Sequence, residues 1–269
     1  MTVYKLFLFL KRMIVTMFSY RTAMILGILG GFVGLLQFSF MGRFLEDGNS
    51  FPALDQYGGN LLAYLIIGSA FTSFVGVSLH SFQGTVRSEQ QMGTLEYLLL
   101  SNTRLELVLT YSGLVSFVQA VVNVALLLVI VIFVFGIPMD VNLPAAGLAI
   151  ALTITSLSGI GLMSAGVIIV TKVGDPITWA FTTLTGLLSG VLFPIEYLPK
   201  WLQMVSWTLP TTHALHALRM SLIQSASMGE ISQQLTMLLV MSLITLPAGF
   251  LAVRYGFDRA RKAGTLAHH

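Results

Sequence analysis

Cysteine is absent from the 269 residues. That excludes a disulfide framework, a thiolate zinc site and a cysteine nucleophile. Charge is nearly as scarce. Charged residues make up 9%, against about 25% in an ordinary soluble domain. With 55% hydrophobic residues and a mean hydropathy of +0.85, a water-soluble fold does not fit. The expected class is an all-α, polytopic membrane protein. No G-x-x-x-x-G-K-S/T sequence occurs, so the chain has no Walker A loop to cradle ATP phosphates. No acid pair, Ser/His/Asp set or His/Glu cluster suggests a reaction inside the membrane, and no enzyme activity is expected. Nucleic acid is not an expected partner.

The chain does have long apolar runs. A spanning helix needs about 20 mostly apolar residues, and six segments qualify: 22–41, 58–82, 105–137, 143–171, 176–194 and 233–254. Before them, residues 1–21 carry Val3, Leu6, Phe7, Leu10, Ile14 and Met17 at helical spacing, with Lys5, Lys11, Arg12 and Arg21 interleaved. This reads as an amphipathic helix lying in the membrane interface rather than as a cleavable signal peptide. Residues 22–256 form one six-span domain, and 257–269 a basic tail. Of the 14 Lys and Arg residues, only Arg43, Lys200 and Arg219 fall on the side opposite both termini. The positive-inside rule then puts both termini in the cytosol. Within the tight inner turn "KVGDPITW", Asp175 is placed to cap the next helix, with Pro176 at its first position.

Between the second and third spans stands "SEQQMGTLEYLLLSNTR", polar where its flanks are oil. Met92, Leu95, Leu98 and Leu99 make an apolar stripe, and acids lie elsewhere on the wheel. A helix over 88–101 is about 21 Å long, too short to cross a bilayer. Its acids disfavour anionic headgroups, so a groove in a protein partner suits it better than lipid. A loop helix with a solvated face is the plain alternative.

At these residues the chain resembles the permeases of the type 2 ATP-binding-cassette (ABC) family. Glu89, Gly93, Thr94, Leu95, Glu96, Leu98, Leu99, Arg104 and Glu106 match the cytosolic coupling segment of that family. Gln91 and Asn102 depart from it, where members often carry an acid and a proline. A second stretch, "SGVLFPIEYLPKWLQMVSWTLPTTHALHALRMSLIQ", is similar to the outer signature of the family. Gly190, Phe193, Pro194, Glu196, Leu198, Pro199, Trp201, Leu202, Pro210 and Arg219 carry that match. The resemblance implies a membrane subunit of an ABC exporter that pairs with a second copy or a paralogous permease. Separate ABC ATPase subunits would hold ATP and Mg. The helix over 88–101 would be the lever they move.

Other features carry weaker expectations. Pro194, Pro199 and Pro210 cut the outer segment 195–224 into helices too short to span, which suits a re-entrant gate. Its expected residues are Phe193, Pro194, Pro199, Trp201, Pro210, His213, His216 and Arg219. Trp201 and Trp207 would anchor at headgroups, and Lys200 and Arg219 would meet lipid phosphate or an anionic cargo. His213 and His216 face one way but lack further ligands, so no metal is expected. Thr178, Thr182, Thr185 and Ser189 recur on one face of the fifth span. With Asn123 they are candidates for the translocation path, although such hydroxyls also bond their own backbone. Gln37, His80, Gln119 and Asn123 are expected to face the bundle interior. Gly27/Gly31 and Gly30/Gly34 are small-xxx-small pairs suited to close helix packing. The expected cargo is an amphipathic small molecule, drug or lipid moved out across the cell (inner) membrane. A lipid-linked polysaccharide is the alternative within the class, and an autonomous channel or secondary carrier the alternative outside it.

Overall fold

In lipid, a backbone without water must satisfy itself, and an apolar run does so as a helix. The computed structural model of the protein describes residues 61–91, 110–122, 140–171 and 175–262, with single positions 30, 33, 36, 37, 40, 125 and 129. Its elements are α1 (Leu61–Gln91), α2 (Thr110–Val122), α3 (Leu143–Thr171) and α4 (Pro176–Leu188). A 3-10 turn (Ile195–Tyr197), α5 (Lys200–Trp207), α6 (Pro210–Ile223) and α7 (Ser232–Lys262) complete the order. Among the described residues, Leu61–Arg87, Leu143–Thr171 and Ser232–Ala260 are long and apolar enough to cross a membrane. They fall on the second, fourth and sixth expected spans, and α2 falls within the third.

Two boundaries differ from the sequence expectation. Helix α1 continues to Gln91, beyond the expected limit at 82, so Ser88–Gln91 complete the span helix rather than begin a new one. The fifth expected span, 176–194, is helical only to Leu188. Its last residues bend through Gly190, whose φ of 75° is open to glycine without strain. Asp175 does cap α4. Its carboxylate accepts from Thr178 N at 3.0 Å and from Ser164 Oγ at 2.5 Å, with Pro176 opening the helix. The interfacial helix over 1–21, most of the first span, and Gly27, Gly31 and Gly34 lie outside the described residues. A Cβ at Gly30 would meet nothing within 4 Å.

The fold is organised around a seam between α3 and α7. Gly159 and Gly166 on α3 face Gly249 and Gly256 on α7. A Cβ built at Gly166 would stand 2.6 Å from the Ala252 carbonyl, and one at Gly249 2.8 Å from Leu162 Cβ. Cβ atoms at Gly159 and Gly256 would run into the backbone of Thr245 and Gly166. Small residues thus let the two backbones meet, the usual solution where lipid offers no hydrophobic drive between helices. Hydroxyls run alongside. Thr155 and Ser242 share a hydrogen bond at 2.9 Å, and Thr245 donates to the Ser156 carbonyl at 3.0 Å. At the head of α7, the Ser227 amide and hydroxyl both donate to Glu230, at 2.6 and 2.9 Å, and these bonds hold its carboxyl below the usual range.

Phe82 joins α1 to this frame. Its buried ring lies between Gly113 of α2 and Gly161 of α3, and meets Phe117 edge-on at 6.0 Å. Phe82→Ala is expected to cost about 3–5 kcal/mol, the usual loss for a buried aromatic. Denaturation of the purified protein checks it; a change under about 1 kcal/mol would show that the slot collapses on itself.

Candidate functional site

The hairpin of α5 and α6 is built on a buried cation. Arg219 of α6 is only 1% exposed. Its guanidinium donates to the Gly190 carbonyl at 2.7 Å, the Tyr64 carbonyl at 3.0 Å and the Val191 carbonyl at 3.2 Å. Its Cζ lies 3.3 Å from the centroid of the Tyr64 ring, and the Tyr64 hydroxyl donates to the same Gly190 carbonyl at 2.5 Å. A planar fork with five donors can satisfy several carbonyls at once, which an ammonium cannot do as well. The broken end of α4, the Leu61 end of α1 and the return helix α6 are thus tied at one point. Gly68 belongs to the tie, since a Cβ there would meet the Val191 carbonyl at 2.5 Å and Arg219 Nη2 at 2.8 Å. Arg219 is therefore not available to lipid phosphate or an anionic cargo, contrary to expectation. The freed carbonyls of the helix break draw it inside.

The rest of the hairpin is held by hydroxyls. Ser206 donates to the Leu188 carbonyl at 2.5 Å, and Thr212 to the Ser206 carbonyl at 2.7 Å. His213 Nε2 donates to the Trp207 carbonyl at 2.9 Å, and the Trp207 ring lies 5.4 Å from His213 and 6.5 Å from His216. Pro199 and Pro210 stand at the starts of α5 and α6, as the proline spacing suggests. Helix α5 is inverted: Ser206 is buried, while Trp201, Met204, Val205 and Trp207 are exposed. A polar face turned inward and an apolar face turned outward suits surroundings of lipid. Lys200 and Phe193 are exposed beside it, and Pro194 is buried. No group of three or more His, Asp or Glu suited to a metal occurs among the described residues.

The threonine face of α4 is turned into the chain. Thr178, Thr185 and Ser189 are buried. Thr178 bonds Ser164 at 3.2 Å, and Thr185 and Ser189 bond Thr211 at 3.2 and 2.6 Å. Thr182, half-buried, donates to the Thr178 carbonyl at 2.7 Å. Asn123 lies outside the described residues.

An open polar face appears instead on α1. Ser73, Val77, His80, Gly84 and Arg87 are exposed and recur at i, i+4, i+7, i+11 and i+14, a single stripe on a helix. Ser69, Thr72 and Gly76 flank it, half-buried. Toward the Leu61 end of α1 the same stripe is buried, with Leu62 at 8% and Ile66 at 0% exposure. The stripe is open from Ser73 to Arg87. His80 and Gln37 were expected inside, but both lie on the surface of this chain, while Gln119 is half-buried. Small and polar residues at a helical period within an apolar run were the available signal. A reading of single costly residues did not connect them.

Of the coupling residues, Glu89 lies in the last turn of α1. Gly93, Thr94, Leu95, Glu96, Leu98 and Leu99 lie outside the described residues.

A family model described as ABC-2 type transporter matches residues 4–223. A protein named "Probable multidrug ABC transporter permease YbhR" from Escherichia coli (strain K12) is 25% identical over 185 residues. The match covers 69% of this chain and 50% of the relative. A protein of the same name from Escherichia coli O157:H7 matches to the same extent. The chain thus spans about half the length of the curated relatives it matches.

Proposed function

The chain belongs to the ABC-2 type transporter family, and from that premise we propose that it is the membrane half of an ATP-driven exporter of amphipathic molecules. As a permease it is a membrane subunit and not itself the ATPase. In this reading two copies, or this chain and a paralogous permease, form the pathway in the cell (inner) membrane, with both termini in the cytosol. ABC ATPase subunits carry ATP and Mg, and dock on the segment 88–101 through Glu89, Gly93, Thr94, Leu95, Glu96, Leu98 and Leu99. Helix α1 enters that segment directly, so a push on it acts on a span that packs against α2, α3 and α6.

One observation carries the transport reading: the α1 stripe is open from Ser73 to Arg87 and buried at Ile66 and Leu62. A face buried at one end and open at the other suits a pathway that opens to one side of the membrane at a time. The hydroxyls of the α4 face are satisfied within the chain, so we place the cargo path on α1 instead. The hairpin held by Arg219, with His213 and His216 behind Trp207, is the outer gate. Its exposed α5 face, with Trp201, meets the outer lipid leaflet. The name of the relatives supports a drug-like cargo, and outward direction and a lipid cargo are our reading of the family resemblance.

Co-purification with the ABC ATPase encoded nearest to the chain, then a screen for cargo-stimulated hydrolysis, tests this. Transport in vesicles that contain no ATPase would contradict it. Glu96→Lys is expected to leave insertion intact and hydrolysis running while transport falls to background. Unchanged coupling in that variant would remove the lever role from 88–101.

A further inference from the structure

We propose that the inner part of the α1 face, from Val77 to Arg87, binds the anionic head of an amphiphilic cargo, with Arg87 and His80 as its donors. The inference rests on the reading of this face as the cargo path. Four features of this face support it.

The first is the sign of the charge. Arg87 is exposed on the stripe, and no ion pair engages it among the described residues. The single acid of α1 is Glu89. An anion on the stripe meets a guanidinium fork suited to phosphate or carboxylate. A cation there meets like charge.

The second is His80 itself, exposed on the same stripe and set against the Gln83 side chain at one ring nitrogen. A ring N–H of imidazole can donate to an anion. The third is space. A Cβ at Gly84 or Gly76 would meet nothing within 4 Å. Gly84 leaves the backbone bare between His80 and Arg87, which stand about 10 Å apart along the axis. Val77, 44% exposed, offers an apolar wall on the next turn.

The fourth is that the outer part of the groove does not compete for an anion. Ser69, Thr72 and Ser73 donate their hydroxyl protons to the carbonyls of Ile66, Gly68 and Ser69. They show only lone pairs to the groove, which repel an anion and accept from a hydroxyl or amine. The head thus belongs at the inner end, and the less polar body toward Val77.

The probes are decyl phosphate and decyltrimethylammonium, titrated calorimetrically into the full chain in phosphatidylcholine nanodiscs, with empty discs subtracted. Decyl phosphate is expected to bind about tenfold or more tightly than the ammonium. Arg87→Gln should bring the ratio near one and Arg87→Glu should invert it. His80→Ala should weaken the phosphate a few-fold, and the exposed Lys262→Gln should leave the ratio alone. Equal affinities in the unaltered chain, or an unchanged ratio in Arg87→Glu, overturns the inference. If Arg87 variants do not insert, the loss of phosphate affinity in His80→Ala decides it, and no loss overturns it. Phosphatidylglycerol in the disc separates the two sources of the same chemistry. Competition against decyl phosphate identifies a lipid headgroup as occupant, and no competition identifies a free amphiphile. Gly84→Trp separates the two readings. Full transport in that variant removes the path from α1. Blocked transport together with equal affinities removes only the preference for anions.

Discussion

Arg219→Met is expected to destabilise the protein by about 3–5 kcal/mol, the range for removing one side of a buried charged network. Methionine has similar length and no donors. The Val191 carbonyl, on the broken end of α4, then loses its guanidinium partner, and the Tyr64 ring loses its cation. Each hydrogen bond from a charged donor is worth about 1.5–3 kcal/mol net, and three are lost. Arg219→Lys keeps the charge but not the fork, and is expected to recover less than half of the loss. Tyr64→Phe removes the hydroxyl's bond to Gly190 and its contact with Arg219 but keeps the ring, so its cost should stay at about 1–2 kcal/mol. Thermal denaturation in detergent gives the order of the three variants. Arg219→Met as stable as the unaltered chain would mean that the hairpin is held elsewhere, with the Thr211 cluster as its anchor.

The other large effect is expected at the α3–α7 seam. Gly159→Leu or Gly249→Leu places a side chain where the partner helix presents backbone rather than a flexible tip. Overpacking of a core costs about 1–3 kcal/mol when neighbours can shift. Here the helices themselves must part, and the cost should exceed that range. Helix α7 has little else to hold it, because only 22% of its apolar window is buried. Monodisperse protein recovered in detergent should fall to a small fraction for either variant. Gly147→Leu and Gly186→Leu serve as controls, since a Cβ at either meets nothing within 4 Å. Equal recovery of all four would show that α7 is held by contacts other than the glycine seam.

The three spans at Leu61–Arg87, Leu143–Thr171 and Ser232–Ala260, the Asp175 cap and the proline cuts at 199 and 210 were legible because each follows from chain-local physics. Apolar length, a side-chain oxygen before a helix, and a ring without N–H act wherever they occur. The role of Arg219 was not legible. Its sequence context looks interfacial, and only the fold brings Gly190, Val191 and Tyr64 around it. The seam was missed for a related reason. Gly159/Gly166 and Gly249/Gly256 share a spacing of seven residues, but nothing local says that the two pairs meet. The α4 face read as a path because threonines at helical spacing look the same whether they line water or bond a neighbour. Their bonds to Ser164 and Thr211 were not legible, because the partners lie 14 and 22 residues away from Thr178 and Ser189. The open face of α1 was half visible, with His80 and Arg87 noticed for separate reasons and never as one stripe.

The absence of cysteine makes the most direct test clean. Tyr97→Cys and Trp201→Cys, each as the single thiol of the chain, are treated with a membrane-impermeant maleimide on intact cells and on inverted vesicles. The lever account predicts labelling of residue 97 only in inverted vesicles and of residue 201 only in intact cells. Labelling of residue 97 from outside the cell would contradict it, since no cytosolic ATPase could then engage that segment.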